Sequence, residues 1–131
     1  MPFRFPKDDA VRQFCRANPR FHPDAYYLVQ HAVSVAHKFL GPQLQNRHIT
    51  GRELAGTIRQ VLLELYGPLA IDVLNHWNVH TTADFGRLVY DLIELKLLSA
   101  SEDDDIHDFD DVYDFNEAFV KPFAPEERPT A

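Results

Sequence analysis

The stretch from Thr50 to Leu98 constrains the fold of this chain most, because its pattern indicates three consecutive helices. The first begins at Thr50, and Glu53 lies three residues later, the spacing at which each side chain accepts a hydrogen bond from the other residue's backbone N–H. Gly67-Pro68 ends that helix and can open the next one. Apolar residues recur at helical spacing in all three segments, so each predicted helix has one apolar side.

Two short apolar runs flank the polar segment that follows the third predicted helix. Residues 95–99 read Leu-Lys-Leu-Leu-Ser, and residues 111–115 read Asp-Val-Tyr-Asp-Phe. Such runs on both sides of a polar loop are typical of a β-hairpin, so we expect the two to pair. Three helices followed by a two-stranded wing form the winged-helix layout. The sequence therefore predicts a mainly α fold: a single helical domain with a winged-helix-like three-helix core and a short β-hairpin.

The length of 131 residues fits one domain, and the remaining segments complete it. Residues 8–17 and 23–40 have helical patterns, which Asn18-Pro19 and Gly41-Pro42 are expected to end. We predict an extended arm at residues 1–6, a helical domain at 7–120 with the winged-helix-like core at 50–115, and a loose tail at 121–131.

The sequence predicts the environment of two residues that each occur once, a cysteine and a tryptophan. The one cysteine, Cys15, follows Phe14 in a helical pattern, so we interpret it as a small buried hydrophobe rather than a nucleophile. The one tryptophan, Trp77, shares a face with Val73 and Leu74 and is predicted to lie in the core.

The hydropathy pattern bears on location. No apolar run approaches the roughly 20 residues that span a bilayer. The first residues lack the apolar segment of a signal peptide. We therefore expect no membrane association and a cytoplasmic location.

Charge is distributed unevenly along the sequence. Nine of the 20 acidic residues lie between Leu97 and Val120, where there is no Lys or Arg, so this segment produces the net charge of −7. A DNA-binding winged helix neutralises phosphates with basic residues on its third helix and wing. The acidic wing segment therefore argues against duplex DNA as a ligand of these elements.

The acidic segment has two interpretations, a solvated loop or a docking surface for a basic protein partner. The docking surface defines our first functional hypothesis, a non-catalytic protein–protein interaction module. Its candidate partner-binding residues are Glu102, Asp103, Asp104, Asp105, Asp108, Asp110 and Asp111.

The basic N-terminal half of the chain supports a second hypothesis, a nucleic-acid-associated regulator. Its candidate phosphate-binding residues are Arg12, Arg16, Arg20, Arg47 and Arg52. Convergence of these arginines on one surface would favour this function, because each basic contact to a phosphate adds to the affinity.

A metal-dependent enzyme is the third hypothesis. A Ca²⁺-binding EF-hand loop that starts at Asp103 would place Asp108 at the sixth position, where the turn requires glycine. The seven histidines form no HExxH motif, and the chain has neither a glycine-rich phosphate loop nor a GxSxG sequence. The sequence therefore predicts no catalytic residues, no metal ligands and no cofactor.

Several short blocks of sequence together resemble one protein family. They are Arg20-Phe21-His22-Pro23-Asp24-Ala25-Tyr26, Gly51-Arg52-Glu53-Leu54, Tyr66-Gly67-Pro68-Leu69-Ala70, Val73-Leu74-Asn75-His76-Trp77, Asp84-Phe85-Gly86 and Val112-Tyr113-Asp114-Phe115. As a set they are similar to an uncharacterised family of bacterial proteins largely restricted to planctomycetes and verrucomicrobia. The run Asp103-Asp104-Asp105 and the proline-rich ends depart from the family pattern. The resemblance implies a bacterial cytoplasmic protein and supplies no catalytic or binding residues.

Overall fold

The computed structural model describes residues 10–44, 49–99 and 104–124, which are mainly helical. Five α-helices follow one another: α1 (Ala10–Ala17), α2 (Pro23–Leu44), α3 (Gly51–Tyr66), α4 (Ala70–His76) and α5 (Thr82–Glu94). Short helical turns occur at Gly67–Leu69, Ile106–Phe109, Asn116–Val120 and Lys121–Phe123. The predicted arm at 1–6 and the end of the predicted tail lie outside the described residues.

The three helices predicted between Thr50 and Leu98 are confirmed as α3, α4 and α5. At the start of α3, Thr50 Oγ1 accepts a hydrogen bond from the Glu53 N–H at 3.1 Å, and Glu53 Oε1 accepts one from the Thr50 N–H at 2.9 Å. At the start of α5, Asp84 Oδ2 accepts hydrogen bonds from the N–H groups of His80 and Thr81. These side chains satisfy N–H groups that a helix start leaves without partners.

Helix α2 is the central wall of the core and packs against α1, α3 and α5. Its residues from Ala25 to Val29 are all buried. The helix continues to Leu44, so the end predicted at Leu40 is wrong. Pro42 lies in the last turn of α2. A proline there removes one backbone hydrogen bond, but it does not break the helix interior because the helix ends two residues later.

Cys15 and Trp77 are both buried, as predicted. Cys15 lies on the side of α1 that faces the core. Trp77 exposes only 4% of its surface, and its ring meets that of Tyr66 edge to face with the ring centroids 6.0 Å apart. Trp77 is therefore a packing residue at the end of α4.

The predicted β-hairpin is wrong, and so is the winged-helix layout, which requires a two-stranded wing. The described residues contain no strand. After α5 the N–H groups of Leu97 and Leu98 both donate to the Leu92 carbonyl oxygen, and Lys96 has a left-handed φ of 61°. These bonds hold residues 95–99 in a turn at the helix end, so their backbone is not extended for pairing.

Side chains rather than a strand ladder hold residues 111–115. The Val112 N–H donates to the buried Thr82 Oγ1 at 3.1 Å, and the Tyr113 hydroxyl donates to the Ala55 carbonyl oxygen at 2.8 Å. The aromatic rings of this part of the chain form a cluster with centroids 5.2–6.5 Å apart: Phe85, Tyr113, Phe115 and Phe119. The apolar pattern that suggested a strand is thus used to pack rings against helices.

Two glycines let the turn Ile106–Phe109 lie directly on α3 and α5. A Cβ atom at Gly51 would lie 2.8 Å from the Asp108 Cβ, and one at Gly86 would lie 3.0 Å from the Phe109 Cβ. Phe109 is 4% exposed and is close to both glycines. A Cβ at Gly56 would have no atom within 4 Å. This part of the acidic segment is therefore a packed element of the fold.

Alanine substitutions of these glycines should separate packing from helix propensity. We expect Gly51→Ala and Gly86→Ala to lower the free energy of unfolding by about 1–3 kcal/mol, the usual cost of adding a methyl group to a filled space. Gly56→Ala is the matched control in α3, and it should raise the free energy of unfolding by about 0.5–1 kcal/mol. Urea denaturation measures all three. Equal stability of the three variants would show that the turn does not pack on these helices.

Candidate functional site

A cleft of about 420 Å³ lies where α2, α3 and α5 meet the turn Ile106–Phe109. Its walls are largely apolar and include Val33, Leu54, Val89, Ile93 and Phe109. The volume falls in the range of roughly 300–1,000 Å³ that is typical of ligand-binding sites. This cleft is the candidate site for which the structure makes the strongest case, and we call it the acidic cleft because of its carboxylates.

Three aspartates, Asp104, Asp105 and Asp108, line the acidic cleft, and none of its described lining residues is Lys or Arg. Asp105 Oδ1 accepts a hydrogen bond from the His107 N–H at 2.9 Å, and Asp108 Oδ2 accepts one from the Asp105 N–H at 3.3 Å. These bonds to neutral N–H groups orient the two carboxylates without cancelling their charge. The cleft therefore combines apolar walls with fixed negative charge.

Tyr90 lines the same cleft, and its hydroxyl oxygen is buried without a hydrogen-bond partner in the described part of the chain. Burial raises the pKa of the Tyr90 hydroxyl, and the charges of Asp104, Asp105 and Asp108 raise it further. The hydroxyl therefore keeps its proton at neutral pH. It offers one O–H donor and an oxygen that can accept.

Two of the other predicted partner-binding acids, Asp110 and Asp111, do not line the cleft. Asp110 Oδ2 is hydrogen-bonded to His107 Nδ1 at 2.9 Å, and this bond raises the pKa of His107. Asp111 lines a smaller depression elsewhere on the surface. Glu102 and Asp103 lie outside the described residues. The structure thus brings together three of the seven acids: Asp104, Asp105 and Asp108.

A second concave surface is basic, and we call it the basic groove. Three of the five predicted phosphate-binding residues line it: Arg12, Arg16 and Arg20. The rings of His22 and His76 line it too, with centroids 5.3 Å apart.

Of the other two predicted arginines, the structure describes one, and it does not line this groove. Arg52 lies in the first turn of α3 and is not among the lining residues, and Arg47 lies outside the described residues. Carboxylates already approach two of the arginines that do line it. Arg12 Nη2 lies 3.9 Å from Asp24 Oδ1, and Arg20 Nη2 lies 3.7 Å from Asp84 Oδ1. Part of the positive charge is therefore offset within the protein.

The sequence did not indicate Tyr90 or His37 as lining residues of the acidic cleft. Tyr90 is adjacent to Val89, a buried residue of α5. That position alone does not indicate whether the ring lines a cleft. Its use in a cleft depends on the distant residues 104–109, which local periodicity does not place.

Among the residues that the structure describes, no group of three or more His, Cys, Asp or Glu side chains is arranged to hold a metal ion. None of the described helices combines the length and hydrophobicity that a membrane span requires. Comparison of the chain with protein-family models, with curated proteins and with solved structures finds no match. The resemblance to a bacterial family stays a prediction, and function is argued from the site.

Tyrosine-to-phenylalanine substitutions at residues 90 and 113 should have opposite effects on stability. Tyr90→Phe removes a buried hydroxyl that has no partner, so we expect the free energy of unfolding to rise by up to about 1–3 kcal/mol. Tyr113→Phe removes the hydroxyl that donates to the Ala55 carbonyl, and it should lower the free energy of unfolding by about 1 kcal/mol. Urea denaturation at neutral pH compares both with the parent. A destabilised Tyr90→Phe variant would mean that this hydroxyl makes a favourable contact.

Proposed function

We propose that the protein is a non-catalytic interaction module that binds a basic protein partner through the acidic cleft. One observation carries the proposal: Asp104, Asp105 and Asp108 lie beside apolar walls from α2, α3 and α5. Lys and Arg side chains have an aliphatic stem and a cationic end. The apolar walls suit the stem, and the carboxylates suit the cationic end. The partner segment therefore carries a basic residue next to apolar ones.

The charge of the whole segment supports the same class of partner. The net charge of −7 arises between Leu97 and Val120, the part of the chain that supplies the cleft carboxylates. A negative field of this kind attracts basic partners and accelerates their association. The module would act in the cytoplasm, as the sequence leads us to expect.

A pair of synthetic peptides tests the charge preference directly. One is a short amphipathic peptide of leucine and lysine with a fluorescent label, and the other has glutamate in place of every lysine. We expect the lysine peptide to bind more tightly, and its Kd to rise with ionic strength because salt screens exposed charges. Fluorescence anisotropy measures both. Equal binding of the two peptides would refute a charge-selective site.

Two triple variants locate the binding site of the lysine peptide. Asp104→Asn/Asp105→Asn/Asp108→Asn removes the charges of the cleft, while asparagine can still accept the local N–H bonds. We expect it to raise the Kd about tenfold, since each partly exposed charge pair contributes on the order of 0.2–1 kcal/mol. The control Asp110→Asn/Asp111→Asn/Glu117→Gln removes as many charges from residues that do not line the cleft. Its Kd should change much less. Equal losses in both variants would assign binding to net charge alone.

Nucleic-acid association is the second candidate, and the convergence of Arg12, Arg16 and Arg20 on the basic groove favours it. We rank it second for two reasons. Carboxylates lie 3.9 Å from Arg12 and 3.7 Å from Arg20, so they compete with phosphate. The two larger aromatic side chains of the groove, Phe21 and Trp77, are buried, whereas proteins that bind single strands stack bases on accessible rings.

Labelled single-stranded and duplex DNA test this second candidate. At physiological salt we expect only non-specific binding, with a Kd of roughly 10⁻⁴ M or weaker. Anisotropy titrations with Arg16→Ala/Arg20→Ala and with the control Arg52→Ala measure the contribution of the groove. Tight binding that the double variant loses and the control keeps would place nucleic-acid association ahead of the acidic cleft.

A further inference from the structure

We propose that the Tyr90 hydroxyl makes the acidic cleft more selective for a cation that donates hydrogen bonds, a primary ammonium or a guanidinium, over a cation without N–H groups. This selectivity rests on the proposed function, because it concerns the partner side chain that the cleft accepts. It assigns Tyr90 the role of a specificity-determining residue.

Tyr90 stands out among the tyrosines whose hydroxyls are described. The Tyr26 hydroxyl donates to Asp91 Oδ2 at 2.7 Å, and the Tyr113 hydroxyl donates to the Ala55 carbonyl oxygen at 2.8 Å. The Tyr90 hydroxyl is buried and has no partner in the described part of the chain. Buried tyrosine hydroxyls usually have one. Among the described residues, the buried tyrosine hydroxyl without a partner is thus the one in the acidic cleft.

The carboxylates of the cleft lie near that hydroxyl. Asp104, Asp105 and Asp108 line the cleft with Tyr90, and burial of its hydroxyl, followed by the charges of these three carboxylates, raises the pKa of that hydroxyl. A cation that these carboxylates attract is therefore held close to the hydroxyl oxygen. Because the phenol stays neutral, its oxygen accepts a hydrogen bond from an N–H of that cation.

The apolar walls give no such selectivity, and the part that the carboxylates give does not depend on Tyr90. Val33, Leu54 and Ile93 offer carbon surface to an alkyl chain whatever cationic group it carries. The carboxylates attract any positive charge, and they also accept hydrogen bonds from a cation that has N–H groups. The Tyr90 oxygen adds one further acceptor, whose hydrogen bond is lost when the cation has no N–H or when the hydroxyl is removed.

Hexylammonium and hexyltrimethylammonium chloride are the probes, since they share one alkyl chain and one charge and differ in their N–H groups. Amide NMR titrations give a Kd for each probe and show that each variant is folded. We expect the parent protein to prefer hexylammonium. Tyr90→Phe should raise the Kd of hexylammonium about tenfold, the loss of one hydrogen bond to a charged group, and leave that of hexyltrimethylammonium nearly unchanged. Tyr113→Phe, which lies outside the cleft, should change neither Kd.

Equal affinity of the parent protein for both probes, or an equal loss of both in Tyr90→Phe, would overturn the inference. The lysine peptide keeps this failure distinct from failure of the proposed function. If the cleft Asp→Asn variant weakens binding of the peptide while the two probes bind equally, the module stands and the selectivity is refuted. If neither the probes nor the peptide bind, both are refuted.

Discussion

The packing of Phe109 close to Gly51 and Gly86 is the contact on which the candidate site depends. Because glycine has no side chain, the turn Ile106–Phe109 can approach the backbones of α3 and α5 closely at these positions. Burial of a phenylalanine side chain contributes on the order of 1.5–3 kcal/mol, which holds the turn in place. The same contact sets Asp105 and Asp108 at the edge of an apolar cleft. Side chains larger than hydrogen at Gly51 or Gly86 would displace the turn and its carboxylates together.

The acidic segment carries an electrostatic cost that its local structure reduces only in part. Asp105, Asp108 and Asp114 accept hydrogen bonds from nearby backbone N–H groups, which orient and stabilise their carboxylates. Asp105 and Asp108 still repel each other, and no Lys or Arg is among the described residues that line the acidic cleft. A basic partner would relieve that repulsion and would stabilise the folded state by mass action. In the proposed module, affinity for a cation and the stability of this segment would therefore be coupled.

Local signals in the sequence predicted the helices well, but they predicted the structure of residues 95–115 poorly. The capping pair Thr50 and Glu53 marks a helix start because it uses neighbouring residues only. Tyr113 and Phe115 have the alternation of a strand, but a short apolar run does not reveal what its side chains contact. Here the two rings pack in one cluster with Phe85, and the backbone has no partner strand.

The candidate site could be predicted only in part. The acidic run was visible as a charge pattern, and Leu54 and Val89 were visible as members of apolar stripes. Their assembly into a cleft requires contact between α2, α3, α5 and residues 104–109, which are far apart in sequence. The small size of Gly51 and Gly86 matters only because Phe109 approaches them. The role of these two glycines can therefore be recognised only from the tertiary contacts.

The most direct measurement is an amide NMR titration of the parent protein with the leucine–lysine peptide. A module that binds through the acidic cleft predicts the largest shift changes at residues 49–54, 89–93 and 104–109, the segments that meet around it. Small changes are expected at the basic groove, residues 12–23 and 76–78. Changes confined to that groove, or spread evenly over residues 110–117, would contradict the assignment of the cleft as the binding site.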